Sequence, residues 1–240
     1  MQRTLARVGY GSRRGAEELI EQGRVRIEGR IAQLGDKVDP RVDQITVDGV
    51  LIPAHPDLRY FAFHKPTGVT TTIRDPHAKR SLAGFLPPGP RVFPVGRLDR
   101  DSEGLLLLTN DGTLAERLQH PRFGVEKEYL VEVEGVLPGS AARALTRGIA
   151  LEDGIARALR VGPVQRSRDR SAVAIVMGEG RKREVRRMFD AIGFPVRRLI
   201  RVRTGPVRLG NLAPGKIRPL NSREVGELYS VAGISQASPR

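Results

Sequence analysis

The spacing of apolar residues changes character about fifty residues into the chain. Leu5, Ala6 and Val8 suit a short helix ended by Gly9, and Ser12 is placed to cap a second helix whose Ala16, Leu19 and Ile20 share one face before Gly23. Two short alternating stretches follow, "RVRIEG" and "QITVDG", each ending in glycine and each read as a strand. The proline-bearing "VLIPAHPDLR" then reads as a linker. Beyond it strands are predicted at "YFAFHK", "RVFPVG", "GLLLLTN", "EKEYLVEVEG", "RALRVGPVQ", "SAVAIVMG" and "VRRLIRVRTG". Helices fit "GTLAERLQH", "GSAARALTRG", "REVRRMFDAIG" and "NSREVGELYS", the last opened by Asn221 with Glu224 in capping-box spacing. Several strands follow one another with no helix between them, which predicts an α+β fold with a mixed, mainly antiparallel sheet. The expected organisation is a small αα-β unit at 1–50, a linker at 51–58, a main domain at 59–232 and a frayed tail at 233–240.

Charge changes the picture more than composition does. Lys and Arg number 41 against 27 acids, a formal charge of +14, which favours a polyanionic partner bound with release of counterions. The excess is clustered: residues 181–208 hold ten basic residues against Glu184 and Asp190, and Arg3, Arg7, Arg13 and Arg14 lie on or beside the first two helices with no acid among them. There is no cysteine, and the four histidines are scattered, so thiolate chemistry and a Cys/His zinc site are excluded and no metal is expected. No apolar run is as long as a membrane span and no signal-peptide pattern opens the chain, so a cytoplasmic protein is expected.

Against this basic background "GRLDRDSEGLLLLTNDG", residues 96–112, gathers Asp99, Asp101 and Glu103 ahead of four leucines. A calcium loop fails because the twelfth position is Asn110 and strand-like segments flank it. A glycosidase pair would require separated carboxylates and a sugar-stacking platform, yet aromatics are 5% of the chain and Trp is absent. Two possibilities stay open: acids that make a turn and pair with Arg97 or Arg100, or Asp99 as a nucleophile held rigidly by a buried strand and supported by a guanidinium.

The same stretch resembles the signature of the bacterial ribosomal pseudouridine synthases. "HKPTG" at 64–68, "EKEYLV" at 126–131 and "EGRKREVRRMF" at 179–189 follow in the family's order, and "GSRRGAEELIEQGRVRIEG" resembles the S4 RNA-binding domain. The resemblance implies an S4-like αα-β domain followed by a pseudouridine synthase domain, and isomerisation of a uridine in ribosomal RNA with no cofactor. It places the catalytic aspartate on Asp99, the base-stacking tyrosine on Tyr129 and the basic partner of the aspartate on Arg186. His64 departs from the asparagine common before "KPxG" and is taken as a supporting residue. Arg3, Arg7, Arg13, Arg14, Lys65, Arg97, Arg181, Lys182, Arg183 and Arg187 are the expected RNA contacts. "REVRR" and "TLAERLQHP" resemble the large-subunit branch, so 23S rRNA, free or in a precursor particle, is expected over 16S, with the chain acting as a monomer. The alternatives are a 16S enzyme and a non-catalytic RNA-binding or ribosome-assembly protein.

Overall fold

Two units make up the computed structural model, which describes residues 1–8, 10–39, 43–52, 58–73, 80–166 and 169–234. One holds Met1–Arg59 with Pro87–Phe93 and Asn110–Gly112, and the other holds Tyr60–Leu86, Pro94–Thr109 and Thr113–Arg240. Gly9, most of the expected linker (53–57) and most of the expected tail (235–240) lie outside the described residues, as does the side chain of Arg7. No helix among the described residues is long and apolar enough to cross a membrane.

In the first unit α1 (Gln2–Arg7) and α2 (Arg13–Glu21) pack on a small sheet. The Ser12 hydroxyl accepts from the Gly15 N–H at 3.1 Å, and Ala16 and Ile20 of α2 join Leu5, Val25, Ile27, Ile45 and Val47 in one core. The two stretches read as single strands are hairpins. Strands β1 (Val25–Ile27) and β2 (Arg30–Ile31) are joined through Glu28 and Gly29, and β3 (Ile45–Val47) and β4 (Val50–Leu51) through Asp48 and Gly49. All four turn residues have positive φ, the two-residue turn that matches strand twist, so the terminal glycines turn the chain back where they were taken to end it. The sheet runs in the order β2-β1-β3-β4.

The second unit is built from β5 (Tyr60–Lys65), β6 (Phe93–Pro94), β7 (Glu103–Thr109), α3 (Gly112–Gln119), β8 (Lys127–Glu134), α4 (Gly139–Arg147), β9 (Ile149–Leu151) and β10 (Gly154–Ala156). It continues through β11 (Arg160–Val161), β12 (Gln165–Arg166), β13 (Arg170–Met177), α5 (Glu184–Ala191), β14 (Val196–Thr204), β15 (Val207–Arg208), β16 (Ile217–Pro219) and α6 (Ser222–Val231). The main sheet has the order β11-β13-β8-β14-β7-β5-β16 and is antiparallel except at β7 and β14, which run parallel. Strand β7 is buried along its whole length, and Leu105 to Leu108 fill the core on both faces.

Asn221 and Glu224 close the expected capping box of α6. The single strand expected over "RALRVGPVQ" is two, β11 and β12, both paired with β13 and separated at Gly162 and Pro163, where proline has no N–H for the ladder. The β9–β10 hairpin, with Asp153 in its turn, had no counterpart in the sequence pattern.

Candidate active site

Asp99 sits in a turn whose backbone is fastened at almost every residue. The Thr71 hydroxyl donates to the Leu98 carbonyl at 2.6 Å and accepts from the Leu98 N–H at 3.2 Å, and the Gly68 N–H donates to the Arg100 carbonyl at 2.7 Å. The Ser102 N–H closes the turn on the Asp99 carbonyl at 3.1 Å. From below, the Lys65 ammonium donates to the carbonyls of Ser102 (2.7 Å) and Pro66 (3.0 Å). Arg186 completes the frame from α5, donating to the Asp101 carbonyl at 2.9 Å and to the Val196 carbonyl at 3.1 Å. Groups whose rotamers are locked by such contacts hold a reacting side chain to the tolerance that chemistry requires.

The turn leads into β7 through Gly104, whose φ is +107°. A Cβ there would stand 2.3 Å from the Arg201 carbonyl oxygen and 2.6 Å from its nitrogen, so only glycine lets β7 lie against β14 in this register. That register sets the wall of a cavity of about 540 Å³ bordered by Asp99, Arg97, Lys127, Tyr129, Arg201 and Leu118, within the range usual for a small-ligand pocket. Tyr129 is 9% exposed, and among the described residues its hydroxyl has no hydrogen-bond partner. The Asp99 carboxylate likewise has no hydrogen bond or ion pair within the described residues.

Two expected contacts differ in the structure. Lys65 was expected to touch the RNA backbone, but its side chain is wholly buried and anchored on the turn, where no phosphate can reach it. Arg186 was expected to pair with Asp99; its Nε stands 3.3 Å from Asp101 Oδ2, off the line of a hydrogen bond, while its Nη2 holds the backbone of the turn. Asp101 also takes Arg183 at 3.0 Å, and Glu103 takes Arg198, so these acids pair with arginines distant in the chain and not with Arg97 or Arg100, the partners that one of the two open possibilities named.

The basic cluster of 181–208 is internally paired to a degree its local sequence conceals. Arg181 and Arg187 hold Asp153 of the β9–β10 hairpin, Arg197 holds Glu134, and Arg203 holds Glu126 and Glu128. The acids come from segments far outside the window that held only two. Lys182 and Arg97 remain exposed, as do Arg3, Arg13 and Arg14 in the first unit. His64 donates from Nδ1 to the Leu212 carbonyl at 2.6 Å, a supporting contact beside β16. Sequence reasoning passed over Thr71, Lys127 and Arg201. Lys127 was within reach of it, since it stands two residues before Tyr129 on an alternating strand; Thr71 carried no periodic signal.

Burial lowers the pKa of Lys65 to about 8 and Arg201 pushes it the same way, against the pull of Asp101, Asp99 and Glu103. The folded chain therefore binds fewer protons at Lys65 than the unfolded chain between pH 8 and 10.5. Stability from this group rises with pH across that window and is flat below it. Measured by urea midpoints, wild type is expected to gain about 3 kcal/mol over Lys65→Met between those limits. A difference independent of pH would mean that burial does not penalise the ammonium.

A cavity holding one aspartate on a braced turn, a tyrosine on the neighbouring sheet and an S4-like helix pair elsewhere in the chain define a class. The family model described as RNA pseudouridylate synthase matches residues 59–191, and the S4 domain model matches residues 2–43. The chain belongs to the RNA pseudouridylate synthase family. An RNA pseudouridine synthase of Mycobacterium tuberculosis, named as uncharacterized, is 41% identical over 239 residues, covering 98% of this chain and 94% of its own. Ribosomal large subunit pseudouridine synthase B of Bacillus subtilis is 38% identical over 236 residues, covering 97% and 96%. A crystal structure of pseudouridylate synthase is similar with a TM-score of 0.66 and 29% identity, over 95% of this chain and 98% of that one.

Proposed function

We propose that this RNA pseudouridine synthase modifies a uridine of 23S rRNA, free or in a precursor particle, with Asp99 as the nucleophile. The observation that carries the assignment is the carboxylate of Asp99, unpaired among the described residues, on a turn braced by Lys65, Gly68, Thr71 and Arg186 at the edge of the cavity. A stacked base is out of reach, so the target nucleotide is flipped into the cavity at a cost of a few kcal/mol, roughly. Tyr129 stacks on the flipped base, which offsets about 1 to 3 kcal/mol of that cost. Asp99 then attacks C1′ of the ribose or C6 of the base. The N1–C1′ bond breaks, the base turns, C5 joins C1′, the bond to Asp99 breaks with its electron pair returning to the carboxylate, the C5 proton leaves and N1 takes up a proton, so nothing is gained or lost overall. Arg186 acts through the turn, as a positioning residue.

Arg3, Arg7, Arg13 and Arg14 of the 1–50 unit and the exposed Arg97 and Lys182 of the main domain carry the phosphate contacts, which fix register without reading sequence, whereas Arg181, Arg183 and Arg187 are already engaged by acids of the chain. Two weak sites on one chain raise each other's effective concentration for RNA. We take the enzyme to act as a monomer in the cytoplasm, where ribosomal RNA is made and assembled. The large-subunit target is supported by "REVRR" in α5 and by the name of the Bacillus subtilis relative.

Tritium release from 5-tritiated uridine in separate 16S and 23S transcripts tests the target. Release from 23S alone is expected. Release from 16S alone would reverse the target, and binding without release, on transcripts and on precursor particles, would favour a non-catalytic assembly role.

A further inference from the structure

Two cations in the cavity wall have no part in the reaction as described. Lys127 and Tyr129 are two apart on β8 and leave the same face of the sheet. Glu128, between them, accepts from Arg203 at 2.8 Å on the other face. Across the sheet Arg201 is opposite Tyr129 and Thr204 is opposite Lys127, and all four residues border the cavity. Arg201 is 5% exposed; its Nε donates to the Leu105 carbonyl at 2.7 Å, and neither Nη hydrogen-bonds a described residue. The Lys127 ammonium has no hydrogen bond or ion pair among the described residues, and burial lowers its pKa, with the charge of Arg201 adding to the effect and Glu184 opposing it.

Their neighbours are treated differently. Arg181, Arg183, Arg186, Arg187, Arg197, Arg198 and Arg203 are each ion-paired with an acid of this chain. Arg201, buried, and Lys127, half-buried, border the same cavity with no ion pair among the described residues, an arrangement that is unfavourable in isolation and becomes favourable when an anion enters.

We propose that Lys127 and Arg201 form the site that holds the negative charge of the base once it is detached. This rests on the assignment of Asp99 as nucleophile, along its C1′ branch. The N1–C1′ electron pair leaves with the base as Asp99 bonds to C1′, and the charge spreads over N1, O2 and O4. The two cations face that charge in a site already emptied of competing partners, so stabilising it requires no reorganisation. When C5 attacks C1′ the carboxylate departs with its electron pair, the C5 proton is lost, N1 is protonated and the anion is discharged. The cations assist only while the base is free, which raises the rate of bond breaking without tightening the grip on uridine.

The test compares wild type, Lys127→Met, Lys127→Arg and Arg201→Lys, each first checked for a near-native urea midpoint, on the modified transcript prepared with uridine or with 5-fluorouridine. Because C5 of the fluorinated base has no proton to lose, the rate read on both is the disappearance of the N1-linked nucleoside, measured by nuclease digestion and chromatography. Fluorine stabilises the base anion, so a substrate carrying it has less need of the cations. Lys127→Met is expected to lower the single-turnover rate at saturating enzyme about 100-fold on uridine, with Kd within about twofold of wild type. The defect is expected to shrink to about 10-fold on 5-fluorouridine, and the charge-conserving Lys127→Arg and Arg201→Lys to recover most of the rate. An unchanged rate at saturation with a raised Kd would make the pair a phosphate grip, and equal defects on both transcripts would also overturn the anion site. Asp99→Asn in the same assay separates the failures. If it still turns over, the underlying nucleophile assignment falls; if it is inert while Lys127→Met keeps full rate, only the anion site falls.

Discussion

Asp99→Asn is expected to bind the 23S transcript within about twofold of wild type and to release no tritium, a loss of at least about 10⁴ in rate. The carboxylate makes no hydrogen bond or ion pair with the described residues, so its replacement by an isosteric amide leaves the turn fastened through its backbone by Thr71, Gly68, Lys65 and Arg186. Fold and RNA contacts are therefore untouched and only the nucleophile is lost. Retained turnover would remove Asp99 from the chemistry. A parallel loss of RNA affinity would mean that the carboxylate, or its charge, also shapes the binding surface.

Gly104→Ala is the second large effect and is purely structural in origin. The added methyl meets backbone atoms of Arg201 at 2.3 and 2.6 Å, and the residue is held at a φ of +107° that alanine rarely adopts. Backbone cannot step aside as a flexible side chain would, so β7 and β14 must separate along their short parallel contact. The expected cost is about 4 kcal/mol or more, a lowering of Tm by about 10 °C, with activity lost because both cavity walls move. Gly84→Ala, where a Cβ meets nothing within 4 Å, is the control and is expected to fall within about 0.5 kcal/mol of wild type. Equal stability of the two variants would show that the strands can accommodate a side chain at 104.

The long alternating strands β8, β13 and β14 and the buried "GLLLL" strand were legible because each has one dominant period and several residues to display it. The hairpins at Glu28–Gly29 and Asp48–Gly49 were missed because their return strands are two residues long, too short to show a period. Asp99 and Tyr129, which the motifs singled out, both border the cavity, whereas the partners of the acidic turn were not legible in the sequence. Asp101 and Glu103 are beside Arg97 and Arg100 in the chain yet pair with Arg183 and Arg198. Charge counting within a window registers neighbours in sequence, and here the sheet chooses neighbours from across the fold. The same limitation made 181–208 look like an open basic surface when most of its arginines are occupied.

The bracing of the Asp99 turn also has a consequence for the order of assembly. Lys65 reaches Ser102 over 37 residues, Arg186 reaches Asp101 over 85, and Arg201 reaches Leu105 over 96. During synthesis the carboxylate-bearing turn emerges well before the helix and strand that lock it, by about 5 to 20 s at ordinary elongation rates. Over that interval β7 is a long apolar strand with no β14 beside it, the kind of exposed edge that seeks other partners. Contacts of such separation form late and slowly. The nascent chain is thus both inert toward RNA and most prone to misassociate until Thr204 has emerged, and reactivity is acquired in the same event that removes the hazard.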